Sequence, residues 1–200
     1  MKYIAAIMTI FTCSCSQFSA NINSFSSDKE AHSYKYVITP GDSNTSEKDL
    51  QFLRYSKYLS NSLISNGFRI TNNDSANAII QFKFDAKTEP FTQSESWGYL
   101  EQDKATGKFE AKTNNATTTL YPSFISLTAI EKAGPKPINL WKIHTDGKME
   151  YYDFPTSIMT LIYLSEPYYG KNSPSQIYSS MIIDGNKLNK ILSDTTKRQK

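Results

Sequence analysis

The segment "SANAIIQFKFDA" (75–86) constrains the fold more than any other part of the chain. Its apolar residues Ile80, Phe82 and Phe84 alternate with polar or charged residues, which is the period of a β-strand. Such a strand has one covered face and one wet face, and this pattern predicts an antiparallel or edge-rich sheet. The fold must therefore supply a layer that covers one side of the sheet.

Other segments carry strand signals of the same kind. Four short runs rich in apolar and β-branched residues predict strands at 34–40, 123–132, 138–144 and 176–183. Asp146-Gly147 predicts a tight turn after the third of these. Residues 87–117 are polar, and their Thr106-Gly107 pair predicts a long hairpin or a mobile excursion.

The clearest helix is predicted over residues 45–68. Apolar residues recur there at spacings of three and four, on one face: Phe52, Tyr55, Leu59 and Leu63. Ser46 followed by Asp49 predicts the N-terminal cap, and Gly67 predicts the end of the helix.

A second helix is predicted over residues 153–170. Asp153 is its expected cap, Pro155 suits the first turn, and Pro167 breaks the pattern. A short C-terminal helix is expected at 188–192. The order of strands and helices predicts an α+β fold, a two-layer sandwich with helices on one face of a mostly antiparallel sheet. We expect a single domain over 34–196, with Trp141 and Ile143 in its core.

The N-terminus has the order of a secretory signal peptide. Lys2 supplies a positive charge, and residues 3–11 form an apolar run that is far shorter than the ~20 residues of a membrane span. The run suits a signal peptide over residues 1–14. Residues 16–33 are polar and rich in Ser and Asn, so 15–33 is predicted to be a lipid-anchored flexible tether.

Both cysteines of the chain, Cys13 and Cys15, lie directly after this apolar run. The arrangement resembles a bacterial lipobox, in which a cysteine is lipidated through sulfur and becomes the mature N-terminus. Cys15 is the favoured acceptor because Ser14 and Cys13 are small; Cys13 is the runner-up. Ordinary cleavage after Ser16 is the alternative. By the same resemblance, Ser16 after Cys15 favours the outer membrane.

Charge argues against a nucleic-acid partner. The chain has 22 basic and 19 acidic residues, and the densest basic cluster is the tail at 197–200, whereas nucleic-acid binders concentrate basic residues on one face. His32 and His144 are the only histidines, and their spacing predicts no metal site. No glycine-rich phosphate motif is present, so no cofactor is expected.

Trp97 and Tyr99 stand out in the polar segment 87–117. They are candidates for partner contact or for stacking on a sugar. The alternative is that they cap the core beneath a loop. The nearby acids Glu95, Glu101 and Asp103 are expected to be solvated charges rather than a pair of glycosidase acids.

These elements together resemble the bacterial lipoproteins grouped as domain of unknown function 4136. The resemblance covers about residues 34–173 and depends on the order of five elements: Leu63 with Gly67-Phe68, "AIIQFKF", "LWKIHTDGK", Phe154-Pro155 and "PYYGKNS". It implies a location in the cell envelope and an α+β fold, and no particular activity.

We therefore expect a non-enzymatic cell-envelope lipoprotein at the periplasmic face of the outer membrane. Its partners would be the membrane, through the lipid, and another envelope protein or a cell-wall component. One alternative is a periplasmic hydrolase or carbohydrate-active enzyme with an atypical site near His144 or the acids at 95–103. The other is a secreted protein without lipid.

Overall fold

The structure, a computed structural model, describes residues 16–27, 29–104, 106–132, 136–150, 153–173 and 175–183. The strands are β1 (Ser16–Ser26), β2 (Lys35–Pro40), β3 (Arg69–Ile70), β4 (Ala78–Ala86), β5 (Phe91–Gln102), β6 (Phe109–Glu131), β7 (Ile138–Met149) and β8 (Ile177–Ile183). The helices are α1 (Leu50–Ser65) and α2 (Phe154–Ser165), with short 3-10 turns at Ala31–Ser33, Asn73–Ser75 and Glu166–Tyr168. The helix expected at 188–192 lies outside the described residues.

The strands form one mixed sheet in the order β3-β2-β4-β6-β7-β1-β8, and β5 pairs with β6. Among the described residues, five strand pairings are antiparallel, and β2 pairs in parallel with β3 and with β4. The predicted α+β class is confirmed. The buried side chains of the sheet share one face with the buried stripes of the helices. We call this the core face and its opposite the outer face.

The prediction of a flexible tether is wrong for residues 16–26, which form β1 between β7 and β8. Phe18, Ala20 and Ile22 are buried on the core face, and mostly Ser and Asn residues alternate with them. Few of the residues are large and apolar, so the period of two is hard to see in the sequence. The domain therefore includes β1 and does not begin at residue 34.

The predicted apolar stripe of α1 is confirmed, because Phe52, Tyr55, Leu59 and Leu63 are all buried. The predicted cap at Ser46 is wrong: Asp49 is the N-cap, and its Oδ1 accepts from the backbone N–H groups of Gln51 at 2.8 Å and Phe52 at 3.2 Å.

The predicted end of α1 is confirmed at Gly67. Gly67 has a φ of +86°, and its N–H donates to the Ile64 carbonyl at 3.0 Å. The N–H of Phe68 donates to the Leu63 carbonyl at 3.1 Å. These two bonds form a Schellman motif, and Phe68 is turned into the core.

Two predicted boundaries in the sheet are wrong. Asp146-Gly147 is not a turn, because β7 runs through it to Met149 with partners on both sides. The strand expected at 123–132 is the second half of the 23-residue β6. Its first half pairs with β5, so the hairpin predicted at 87–117 is confirmed.

Trp141 lies in the core as predicted, and its Nε1–H donates to the Tyr36 hydroxyl at 3.2 Å. The Tyr36 hydroxyl donates to the Ala31 carbonyl at 2.8 Å, and burial raises the pKa of Tyr36 to about 12. The ring of Tyr169 lies beside that of Trp141 in the core, and burial raises the pKa of Tyr169 far above the ordinary tyrosine value. α2 has the predicted cap, since Asp153 Oδ1 accepts from the Thr156 N–H at 3.3 Å.

Candidate functional site

Several exposed apolar side chains of the described chain lie on the ribbon, the two-stranded hairpin formed by β5 and residues 109–120 of β6. Trp97 is paired with Asn114 and Tyr99 with Lys112, so both aromatic side chains lie on the same face of the ribbon. They are 47% and 46% exposed. The alternative that these two residues cap the core is therefore wrong, and they remain candidates for partner contact.

The other face of the ribbon carries apolar residues that sequence analysis missed. Leu100 pairs with Ala111, and Phe109 pairs with Gln102, next to Leu100 along the ribbon. Leu100 is 69% exposed and Phe109 is 65% exposed. The sequence could have shown that Leu100 and Phe109 share a face, if the segment is paired as a hairpin about the Thr106-Gly107 turn. Gly107 in that turn has a φ of +71°. The distal part of the ribbon thus has exposed apolar side chains on both faces.

The register fixes where the ribbon leaves the sheet. Met149, the last residue of β7, pairs with Tyr121 on one side and Phe18 on the other. Residues 109–120 of β6 continue past this row and pair with β5. Because β1 begins at Ser16, two residues before Phe18, the ribbon leaves the sheet at the end where β1 starts.

The base of the ribbon is fixed to the outer face of the sheet. Lys148 Nζ donates to Gln93 Oε1 at 2.6 Å, and Gln93 Nε2 donates to Glu95 Oε1 at 2.8 Å. A pocket of about 130 Å³ lies here, between the ribbon, Ser19 and Tyr178. This is small compared with the ~300–1,000 Å³ of typical ligand sites.

Farther out, the charges of the ribbon are paired across its strands. Lys112 forms an ion pair with Glu101, and hydrogen bonding to that carboxylate raises the pKa of Lys112 above its ordinary value. Both groups are about half exposed, so the pair contributes little stability. It does keep a lysine beside Tyr99.

Glu95 is not brought close to the other acids proposed for a hydrolase. Glu95 and Glu101 lie six residues apart on β5, or ~20 Å at the rise of a strand. Glycosidase pairs require ~5–9.5 Å. The Asp103 backbone forms the turn, through hydrogen bonds with Lys108 and Gly107.

His144 lies in the middle of β7 rather than at the predicted strand end, and its side chain is on the outer face. Its Nε2 is 3.1 Å from Asp146 Oδ1, and its ring centre is 5.9 Å from that of Phe124. Ser126 is its partner on β6. The side chains of His144 and Asp146 are 43% and 57% exposed, so this pair lies on an open strand surface.

Cys13 and Cys15, the candidate lipid acceptors, lie outside the described residues. Within the described ranges, no three His, Cys, Asp or Glu side chains are grouped so that they could bind a metal ion. A search of the same ranges finds no helix with the length and apolar character needed to cross a membrane.

No family model matches this sequence. No curated protein matches it either. A crystal structure described as that of a PDZ domain protein from Parabacteroides distasonis is similar in fold, with a TM-score of 0.51 and 11% sequence identity. The similarity covers 83% of this chain and 39% of that one. At this identity the likeness concerns the fold alone.

Proposed function

We propose that this protein is a cell-envelope lipoprotein, held by a lipid on Cys15 at the periplasmic face of the outer membrane. Its role would be binding or structural rather than catalytic. The observation that carries the proposal is the position of the two thiols: both follow a short apolar run, and Cys15 directly precedes the first residue of β1. The sheet uses the chain from Ser16 onward, so removal of residues 1–14 leaves every described element intact.

The start of β1 at Ser16 changes what the anchor would do. Adjacent Cα atoms are ~3.8 Å apart, so a lipid on Cys15 would be attached directly to a paired strand. The domain would then be held against the bilayer instead of moving on a tether. We further infer a two-layer arrangement, with the helices covering the core face and the outer face open to a partner.

Two features support a role without catalysis. The pockets described above and beside α2 have volumes of about 130–220 Å³ and are open to solvent. The acids of β5 lie on the ribbon, whereas His144 lies in the middle of β7, and none of these pockets is lined by His144. Another envelope protein or a cell-wall component would fit such extended surfaces better than a small substrate would.

The anchor is tested by metabolic labelling with a clickable fatty acid in the protein's own host. We expect label on the wild type and on Cys13→Ala, and none on Cys15→Ala. Cys15→Ala should also be lost from the membrane pellet or accumulate unprocessed, because it has no acceptor for the lipid. Stable anchoring needs more than one acyl chain, each contributing ~0.8 kcal/mol per buried CH₂.

The matched cysteine variants separate the alternatives. Label that persists in Cys15→Ala and disappears in Cys13→Ala would move the anchor to Cys13. An unlabelled wild type with a mature N-terminus at Gln17 would contradict the proposal and assign cleavage after Ser16.

A further inference from the structure

We propose that the distal part of the ribbon contacts the surface of the lipid bilayer, as a second point of attachment beside the lipid. This inference depends on the proposed lipid at Cys15. The contact residues are the four exposed apolar side chains described above: Trp97, Tyr99, Leu100 and Phe109.

Position is the first argument. The ribbon leaves the sheet beyond the row formed by Phe18, Met149 and Tyr121. Ser16 pairs with Ile183 at the same end. A lipid on Cys15 would therefore place the bilayer at the end of the sheet from which the ribbon extends.

The distribution of the apolar residues is the second argument. Trp97 and Tyr99 lie on one face, and Leu100 and Phe109 on the other. A flat protein surface or a sugar chain would cover one face and leave the second in water. The headgroup region of a bilayer surrounds an inserted element on all sides, and Trp and Tyr are enriched at that level of membrane proteins.

Stability gives a third argument. A two-stranded ribbon is at best marginally stable alone in water, and no described residue between 91 and 119 is buried. Insertion of its apolar side chains into the boundary between headgroups and acyl chains would remove their surface from water.

Charge on the ribbon is compatible with this contact. Residues 91–120 contain four acids and three lysines. The lysines, Lys104, Lys108 and Lys112, lie in the distal part together with three of the acids, so the formal charges of that part cancel. Lysine side chains can lie along apolar surface while the ammonium group reaches polar headgroups.

Tryptophan fluorescence can test the contact, because the chain has only two tryptophans, exposed Trp97 and buried Trp141. Mature protein purified from its host is mixed with phosphatidylethanolamine–phosphatidylglycerol vesicles that carry brominated acyl chains. The Trp97 signal is the difference between wild type and Trp97→Phe, and Trp141 is an internal reference. We expect the bromines to quench Trp97 strongly and Trp141 hardly at all.

A matched pair of variants controls for general hydrophobicity. Leu100→Ser/Phe109→Ser should lower the quenching of Trp97. Leu53→Ser removes an aliphatic side chain that is 49% exposed on α1 and should leave the quenching unchanged. Intact mass and flotation with vesicles report separately whether the protein carries its lipid.

Each outcome decides between the proposals. Lipidated protein that floats with an unquenched Trp97 would overturn the ribbon contact and leave the anchor in place. Protein without lipid would contradict the anchor, and the ribbon contact would then stand only if added vesicles still quench Trp97. Dimers in lipid-free solution that are lost in Leu100→Ser/Phe109→Ser would assign the surface to a second copy and also overturn the proposal.

Discussion

At the scale of single residues, Gly147 shows how packing selects an amino acid. It lies within β7, and a Cβ atom there would be 2.6 Å from Phe18 Cζ and 2.7 Å from Leu161 Cδ2. Glycine is required because β1 and α2 both press on this strand. Gly98 also lies in a strand, yet a Cβ there would meet only the Lys112 carbonyl oxygen, at 3.8 Å.

These two glycines make a matched test. Gly147→Ala should lower the free energy of unfolding by about 1–3 kcal/mol, the usual range for overpacking a core. Gly98→Ala should leave it unchanged or raise it by less than about 1 kcal/mol, since alanine loses less backbone entropy on folding. Urea denaturation of both variants measures the difference. Equal effects would mean that Phe18 and Leu161 do not pack against β7 as described.

At the scale of elements, the start of α1 shows how two capping candidates compete. Ser46 and Asp49 both precede the helix, and both side chains accept local hydrogen bonds. The Ser46 hydroxyl accepts from the Lys48 N–H at 3.2 Å, ahead of the first helical residue. Asp49 caps the helix itself, and its negative charge also suits the positive end of the helix dipole.

The cap predicts unequal effects of two alanine substitutions. Asp49→Ala should destabilise the protein by about 0.5–2 kcal/mol, because two N–H groups of the first turn lose their acceptor. Ser46→Ala should change the stability by less than about 0.5 kcal/mol, as expected for a surface position. Thermal melting followed by circular dichroism compares them. A larger loss for Ser46→Ala would place the start of the helix three residues earlier.

At the scale of the whole molecule, β1 joins distant parts of the chain. It pairs with β7 on one side and β8 on the other, so without it β8 has no place in the sheet. Phe18, Ala20 and Ile22 would also leave the core. The ribbon is the opposite case, a long element in which none of the described residues between 91 and 119 is buried.

Two deletions should therefore have opposite results. A chain of residues 34–200 should lose cooperative unfolding, because removal of β1 exposes the edge of β7 and part of the core. A chain that starts at Ser16 and has residues 97–114 replaced by an Asn-Gly turn, which then joins the partners Ser96 and Asn115, should keep a cooperative transition. Calorimetry and proton–nitrogen NMR spectra of both chains provide the comparison. Cooperative melting of the chain of residues 34–200 would instead support the prediction that residues 15–33 are a flexible tether.

The sequence by itself determined the features that depend on local periodicity and local hydrogen bonds. These are the buried stripe of α1, its end at Gly67, the cap at Asp153 and the core position of Trp141. Each depends on residues only a few positions apart, so a pattern of three and four or of two is enough to predict it. The same holds for the α+β class, which follows from the order of these elements.

Only the tertiary structure decided the role of β1, the identity of Gly147 and the place of the ribbon. The partners of β1 come from the other end of the chain, and its outward residues are mostly Ser and Asn, so no local signal marks it as a strand. Asp146-Gly147 has the sequence of a turn, but in the structure it lies within a strand between β6 and β1, with α2 packed on it. Leu100 and Phe109 become one exposed face only when β5 and β6 pair. Strand pairing joins residues far apart in sequence, and that information is absent from any short segment.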